Sequence, residues 1–345
     1  MKLIKKFLPS GTRILIVLAA LLVLICGPVI LAVRQPISEK TPFPSGPRAN
    51  PDRLRWHVEY LAEDLAPRNH NYPEKLAATV RYITTGLSVP GAQVSLQPYV
   101  AENAVVGQKE QVNVIARFGS KDGPMVIVGA HYDADGNLPG ADDNASGTAG
   151  LLELARLLGQ REITGNIELV AYGTEESPFF GTEQMGSAVH ARSLAEQGRT
   201  VKAMLCLEMI GYFVEQQEYN SWVLRLAYPR DGLYAAVVGR WQERHLARTV
   251  KRCFNGASDL HTVSYSGPVL FGADLSDHRN YWQHGYPAVM ITDTAFLRNH
   301  NYHTAGDTPD TLDYQRMAKV VDGVLSAVLT LSLSASPEEA GTVRP

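Results

Sequence analysis

Cysteine is scarce: the 345 residues hold three, and Cys26 falls in an apolar N-terminal run, leaving Cys206 and Cys253. That is too few for a disulfide framework. A single bridge stays open, with two thiols buried apart as the favoured reading. Basic runs are missing as well. The formal charge is −3, and residues 1–36 carry Lys2, Lys5, Lys6, Arg13 and Arg34 with no acid, so removing those five charges leaves −8 for the rest. A mildly acidic body without a basic stripe argues against nucleic acid as a partner. The chain also has no internal repeat, no phosphate-binding glycine loop, no G-x-S-x-G elbow and no H-E-x-x-H helix. Nucleotide-binding enzymes, serine hydrolases of the elbow type and helical zinc peptidases are left without their usual signatures.

What is present begins with a membrane signal. Ile14 to Val33 is an uncharged stretch of twenty residues, about the length that crosses roughly 30 Å of hydrocarbon. No convincing small-residue cleavage pattern follows it. Bulky Ile25 beside Cys26 argues against a lipidation box. Four basic residues precede the run and only Arg34 closely follows it, so positive-inside logic keeps the N-terminus cytoplasmic and exports the remainder. The expectation is a cytoplasmic stub and transmembrane signal-anchor over 1–35 of a single-pass protein, with its body in the periplasm or outside the cell. A long cleaved signal is the other reading. Pro36, Pro42, Pro44, Pro47 and Pro51 make 36–51 a stiff spacer that would lift the body off the bilayer. A single large domain is expected over 52–335, since 45% apolar content can bury a sizeable core. Residues 336–345 read as a disordered tail.

Asp52–Leu65 places Leu54, Val58, Leu61 and Leu65 on one helical face, and Lys75–Leu87 is similar. From about Val94 short β-rich runs alternate with helical patterns, which is the α/β signature. Met125–Gly129, Ile167–Tyr172, Ala203–Leu207 and Ala288–Thr292 read as strands. Chemistry-bearing residues follow each: His131, then Glu175-Glu176, then Glu208, then His303 in the loop after the last. In open α/β sheets, sites form beyond the carboxyl ends of strands.

The stretches are Gly129-Ala-His131-Tyr-Asp133, Gly140-Ala-Asp-Asp143-Asn-Ala-Ser146-Gly147, Gly173-Thr-Glu175-Glu176, Leu207-Glu208-Met-Ile-Gly211 and Tyr302-His303-Thr304. Two imidazoles, three carboxylates and a spare Glu beside a ligand Glu are the ingredients of a two-zinc hydrolytic site. One carboxylate bridges the metals and the spare one handles protons. Adjacent Asp142 and Asp143 cannot be told apart by composition. His300 and His278 compete as ligands.

Across roughly Asn113 to Ala327 these motifs together resemble metallopeptidase family 28, the clan MH co-catalytic zinc exopeptidases. The family includes bacterial leucyl aminopeptidases, glutamate carboxypeptidase II and glutaminyl cyclases. The resemblance implies an α/β fold with a mixed, mostly parallel sheet flanked by helices, two Zn²⁺ per chain and peptide substrates. By it, His131, Asp143, Glu176, Glu208 and His303 are the metal ligands, with Asp143 bridging, chosen over Asp142 by alignment on Ser146-Gly147. Glu175 is the general base. Asp133 orients His131, and Tyr302 is placed to stabilise an oxyanion. Asp277 and His278 are support near the site. A cis peptide is implied at Asp143–Asn144. Glu208 departs from the aminopeptidase pattern, where Asp is usual, and that bears on which end of the substrate is attacked. The implied activity is a metallo-aminopeptidase. A glutaminyl cyclase, a carboxypeptidase and a membrane-tethered binding module on an inactive fold are the alternatives.

Overall fold

The computed structural model describes residues 27–219, 221–270 and 272–333, together with Leu15 and Leu24. Among these residues no helix is long and apolar enough to cross a membrane. The expected anchor, Ile14–Val33, lies mostly outside the described residues, and the tail 336–345 lies wholly outside them.

Helix α1 (Pro51–Glu59) starts on Asn50, whose side chain accepts from the amides of Asp52 and Arg53, with Pro51 at the first helical position. Both features satisfy or remove orphan donors at a helix start. It widens into a π-turn over Tyr60–Asp64 and is followed by α2 (Pro73–Leu87). Strands β1 (Gln93–Asn103), β2 (Gly107–Gly119) and β3 (Met125–His131) come next, then α3 (Gly147–Leu158), β4 (Asn166–Tyr172), α4 (Gly186–Glu196) and β5 (Val201–Glu208). The second half runs α5 (Trp222–Ala227), β6 (Tyr234–Arg240), α6 (Arg244–Ala257), β7 (His261–Gly267), α7 (His278–Gln283), β8 (Ala288–Thr292) and α8 (Tyr314–Leu333).

The eight strands form one mixed sheet in the order β1-β2-β4-β3-β5-β8-β6-β7. Its centre, β4-β3-β5-β8, is parallel throughout. β1, β2 and the β8/β6 junction supply the antiparallel pairs. Every residue of β3, β4 and β8 is buried, as expected of parallel strands covered on both faces. One face packs against α1, α2, α3, α6 and α8 through a core that includes Leu54, Leu151, Leu205 and Val324. The other packs against α4 and α7 through Leu194, Tyr281 and Trp282. Gly129 in β3 is required by the second layer: a Cβ there would meet the Tyr172 ring at 2.2 Å. Cys206 and Cys253 are buried apart and are not bridged to each other.

Residues 34–48 do not stand off as a spacer. Extended proline-rich chain exposes its carbonyls, and here α6, β7 and the turn after α3 bond to them. Lys251 Nζ donates to Gln35 O at 2.9 Å, Ser264 Oγ to Arg34 O at 2.7 Å and Arg161 to Pro47 O at 2.9 Å. Thr41 N donates to Arg252 O at 2.9 Å, and Arg48 pairs with Asp322 of α8 at 2.8 Å. The segment is strapped along the domain.

Candidate metal centre

His131 is the last residue of β3 and Glu208 the last of β5; Glu175-Glu176 follow β4, and His303 lies in the loop after β8. Parallel neighbours end at one edge, so the sheet alone brings four distant segments together. The chain turns sharply there: Thr174, Met209 and His303 have φ of 57°, 51° and 53°. Left-handed backbone at such residues costs about 1–2 kcal/mol each, tolerated where the surroundings over-determine the loop.

Asp143 sits between the two imidazoles. Its Oδ1 is 3.3 Å from His131 Nε2 and its Oδ2 is 3.0 Å from His303 Nε2. Glu208 Oε2 stands 3.4 Å from His131 Nε2, and Glu176 Oε2 stands 3.4 Å from His303 Nε2. Ligands held tetrahedrally on bonds of about 2.1 Å lie roughly 3.4 Å apart, so both spacings are those of a metal shell. Among the described residues, buried His131 Nε2 and Glu176 Oε1 have no hydrogen-bond partner, a costly state for polar atoms unless a cation takes their lone pairs. The residues present therefore fit a pair of divalent ions. Ligand atoms of Asp135, Glu176 and His303 also fall within 4.8 Å of one another.

Asp142, the competitor of Asp143, faces away: its carboxylate accepts from Gly211 N at 3.0 Å and from Asn299 at 2.9 Å. The Asp143–Asn144 peptide is cis. Asp133 does more than orient His131. Its backbone and carboxylate oxygens lie 3.2 and 3.4 Å from His131 Nδ1, and its two carboxylate oxygens accept from the amides of Glu175 and Glu176 at 3.1 and 3.0 Å. Glu175 itself is more distant, its Oε2 4.0 Å from His131 Nε2. The Tyr302 ring stacks on His303 with centroids 3.8 Å apart. Asp277 is buried and accepts from Ser187 Oγ, while His278 bonds the Ala273 carbonyl at 2.8 Å. His300 is exposed beside Glu218.

Four supporting residues escaped the sequence reading. Ser276 Oγ donates to Glu208 Oε2 at 2.6 Å. Asp307 accepts from the amides of Asp142 and Asp143 at 2.9 and 3.1 Å. Asp135 lies 3.9 Å from His303 Nδ1. Arg68, completely buried, gives its guanidinium to four backbone carbonyls, those of Leu61, Tyr132, Pro139 and Gly140, at 2.6–3.0 Å. The loop that carries Asp143 thereby hangs on the segment after α1. Only Ser276, beside Asp277, and Asp135, beside Asp133, had any local signal.

Crowding carboxylates around two imidazoles moves their protons. Burial opposes a charged His131, yet Glu175 and Glu208 outweigh it and hold its pKa well above the ordinary value. Burial likewise opposes a charged His303, but Asp143 and Glu176 carry it up to about 10. Burial and then Asp143 push Glu176 up to about 8. Glu175 is driven well above the carboxylate range by burial, with His131 opposing. Divalent cations bound to these ligands would compete with protons for the same lone pairs.

Two cavities meet here. A cleft of about 400 Å³ is lined by Asp143, Glu175, Glu176, Phe180 and His303. An apolar pocket of about 110 Å³ lies beside it, walled by Tyr228, Tyr234, Val263, Tyr265 and Met290. Glu208, Leu275 and Tyr302 belong to both.

The chain is similar to known proteins. An uncharacterized Escherichia coli K12 protein, YfbL, is 46% identical over 297 residues, covering 82% of this chain and 90% of its own. Leucine aminopeptidase 1 of Coccidioides posadasii is 30% identical over 225 residues, 60% of this chain and 52% of its own. This chain thus spans about half of that relative. Among solved structures, the Legionella pneumophila LapA aminopeptidase has a TM-score of 0.63 at 19% identity, covering 84% of this chain and 72% of its own. The Fimbriiglobus ruber glutaminyl cyclase has 0.65 at 22%, covering 84% and 97%. At such identity these structures speak for the fold alone. The sequence model of peptidase family M28 matches residues 113–328, which spans every strand-end residue from His131 to His303, and the chain belongs to that family.

Proposed function

We propose that the protein is a two-zinc aminopeptidase that removes apolar N-terminal residues from peptides outside the cytoplasm. The observation that carries this reading is Asp143, which turns one oxygen to His131 and the other to His303. His131 and Glu208 would complete one ion's shell, and His303 and Glu176 the other. When bound, the zinc pair would supply a Lewis acid and a water of lowered pKa.

The chain's own residues handle the proton and the substrate. Glu175, fixed through its amide by Asp133, takes the proton of the attacking water and returns it to the leaving amine. Tyr302 donates its hydroxyl to the scissile carbonyl oxygen as charge builds there. The 110 Å³ pocket receives the first side chain. The hydroxyls of Tyr228 and Tyr265 are tied to the carbonyls of Ser264 and Pro268, so those walls offer ring faces rather than polar groups.

Digestion of a peptide library with and without chelator tests the reading. Leucine- and phenylalanine-led peptides should be shortened from the N-terminus, and acetylation should protect them. Cleavage of acetylated peptides, with C-terminal amides spared, would make it a carboxypeptidase. Glutaminyl cyclases of this fold use one zinc. His131 with Glu208 beside Asp143 favours two, and a stoichiometry of one zinc with pyroglutamate formed from a Gln-peptide would reverse that. A binding module would leave the library intact.

Export rests on the N-terminal apolar run and its basic flank. N-terminal sequencing of membrane-extracted protein tests the anchor, and a chain starting after residue 33 would show cleavage instead.

A further inference from the structure

We infer that the face formed by α5, the start of α6 and the loop after β7 is a bilayer-contact surface that seats the domain on anionic headgroups. The inference rests on the reading of the N-terminal run as a membrane segment. Residues 27–34 are helical, and the chain leaves that helix without slack. The Arg34 guanidinium lies 5.3 Å from the centroid of the Tyr228 ring at the end of α5. Its carbonyl accepts from Ser264 of β7 at 2.7 Å. Gln35 Nε2 donates to the Arg244 carbonyl of α6 at 2.9 Å. An anchor on a loose tether would let the domain tumble. This one fixes which side of the domain lies where the apolar helix ends.

That side is built for an interface. Trp222 and Leu226 of α5 are each 74% exposed, Trp241 before α6 is 45% exposed, and Leu270 after β7 is 50% exposed. Trp241 and Leu31 line one groove, so a tryptophan sits directly beside the end of the apolar helix. Large apolar side chains rarely cluster in water on a monomer, whereas tryptophan concentrates at the level of lipid headgroups. The charge agrees. Exposed Arg225 lies on α5 and Arg244 stacks on Trp241 at the start of α6, whereas Lys251 is buried and Arg248 and Arg252 are offset by Glu39. Outside residues 1–36 the chain is net acidic, so Arg225 and Arg244 beside the two tryptophans are a local basic pair that suits anionic lipid. Leu224 of α5 and Tyr228 just after it also wall the apolar pocket. Seated this way, the pocket would draw on peptides held at or near the bilayer.

The full chain, reconstituted in phosphatidylglycerol-containing vesicles with brominated acyl chains, tests the surface by tryptophan quenching. Quenching is expected in the unmodified protein, unchanged in Trp56→Phe and mostly lost in Trp222→Phe/Trp241→Phe. Hydrolysis of a soluble dipeptide substrate should be unaffected in the double variant, which verifies its fold. Equal quenching in the double variant, or a floating chain with no quenching, overturns the surface while leaving the anchor standing. If N-terminal sequencing shows cleavage after residue 33, the anchor falls. The surface then survives only if the processed chain still floats with phosphatidylglycerol vesicles and shows the same quenching pattern, and flotation lost in that chain overturns both.

Discussion

Replacing Glu175 by Gln separates proton transfer from metal binding. The change keeps the side chain's size and leaves the amide bond to Asp133 in place, since that bond uses the backbone. Glu175 Oε2 is 4.0 Å from His131 Nε2, against 3.3–3.4 Å for the oxygens of Asp143 and Glu208, so it stands outside the tetrahedral spacing. Both zincs should stay bound and the fold should persist. The lost step is general-base catalysis, for which a positioned group contributes roughly 10²–10⁴-fold, or about 3–5 kcal/mol of barrier. The fall should appear in kcat with KM nearly constant, because ground-state contacts survive. Glu176→Gln is the counterpart: its Oε2 is 3.4 Å from His303 Nε2 and its Oε1 is an unpartnered buried atom. There the expected loss is of zinc itself. Metal analysis beside steady-state kinetics on both variants decides the matter. Zinc lost from Glu175→Gln and kept by Glu176→Gln would mean that the two roles are exchanged.

Ser276→Ala should weaken one zinc by about 10–100-fold, the usual effect of removing a ligand's hydrogen-bond partner; a competition titration in which both zincs keep their affinity would deny Ser276 that role. Ala236→Phe, on the pocket wall, should cut kcat/KM for leucine-led substrates about tenfold or more while sparing alanine-led ones, and equal losses on both would place the first side chain elsewhere. Burial, helped by Arg53, lowers His57 to about 4 from 6.5, so its neutral form is the one folding favours. The resulting stability is complete above pH 6.5 and drains as pH falls toward 4, to the extent of about 2 kcal/mol by pH 5. Urea unfolding of the wild type and His57→Gln at pH 7.5 and 5 should show a gap that narrows on acidification, and a constant gap would refute the assignment.

Much of the site was legible because two periodicities and one topological rule act together. The four buried apolar runs read as strands, and residues just beyond their carboxyl ends meet because parallel neighbours end at one edge. The choice between Asp142 and Asp143 is invisible locally. It is made by Gly211, Asn299 and Asp307, which come from 69 or more residues away. Ser276 and Arg68 were missed for the same reason: a hydroxyl and a guanidinium look the same in a solvated loop and in a buried clamp. The linker misled in the other direction. Its prolines do keep 34–48 extended, but nothing in its own residues announces the donors of α6, β7 and the turn after α3 that hold it down.

The four-carbonyl grip of Arg68 has a consequence for where the gene can be cut. The family match begins at residue 113, and an expression fragment starting there would retain all five proposed ligands. It would also leave the carbonyls of Tyr132, Pro139 and Gly140 buried without their donor. At about 1–3 kcal/mol for each unsatisfied group, the loss is comparable to the whole stability of a typical domain, roughly 5–15 kcal/mol. The shortest fragment able to fold should therefore reach back at least to Arg68, although that residue is not among the proposed ligands.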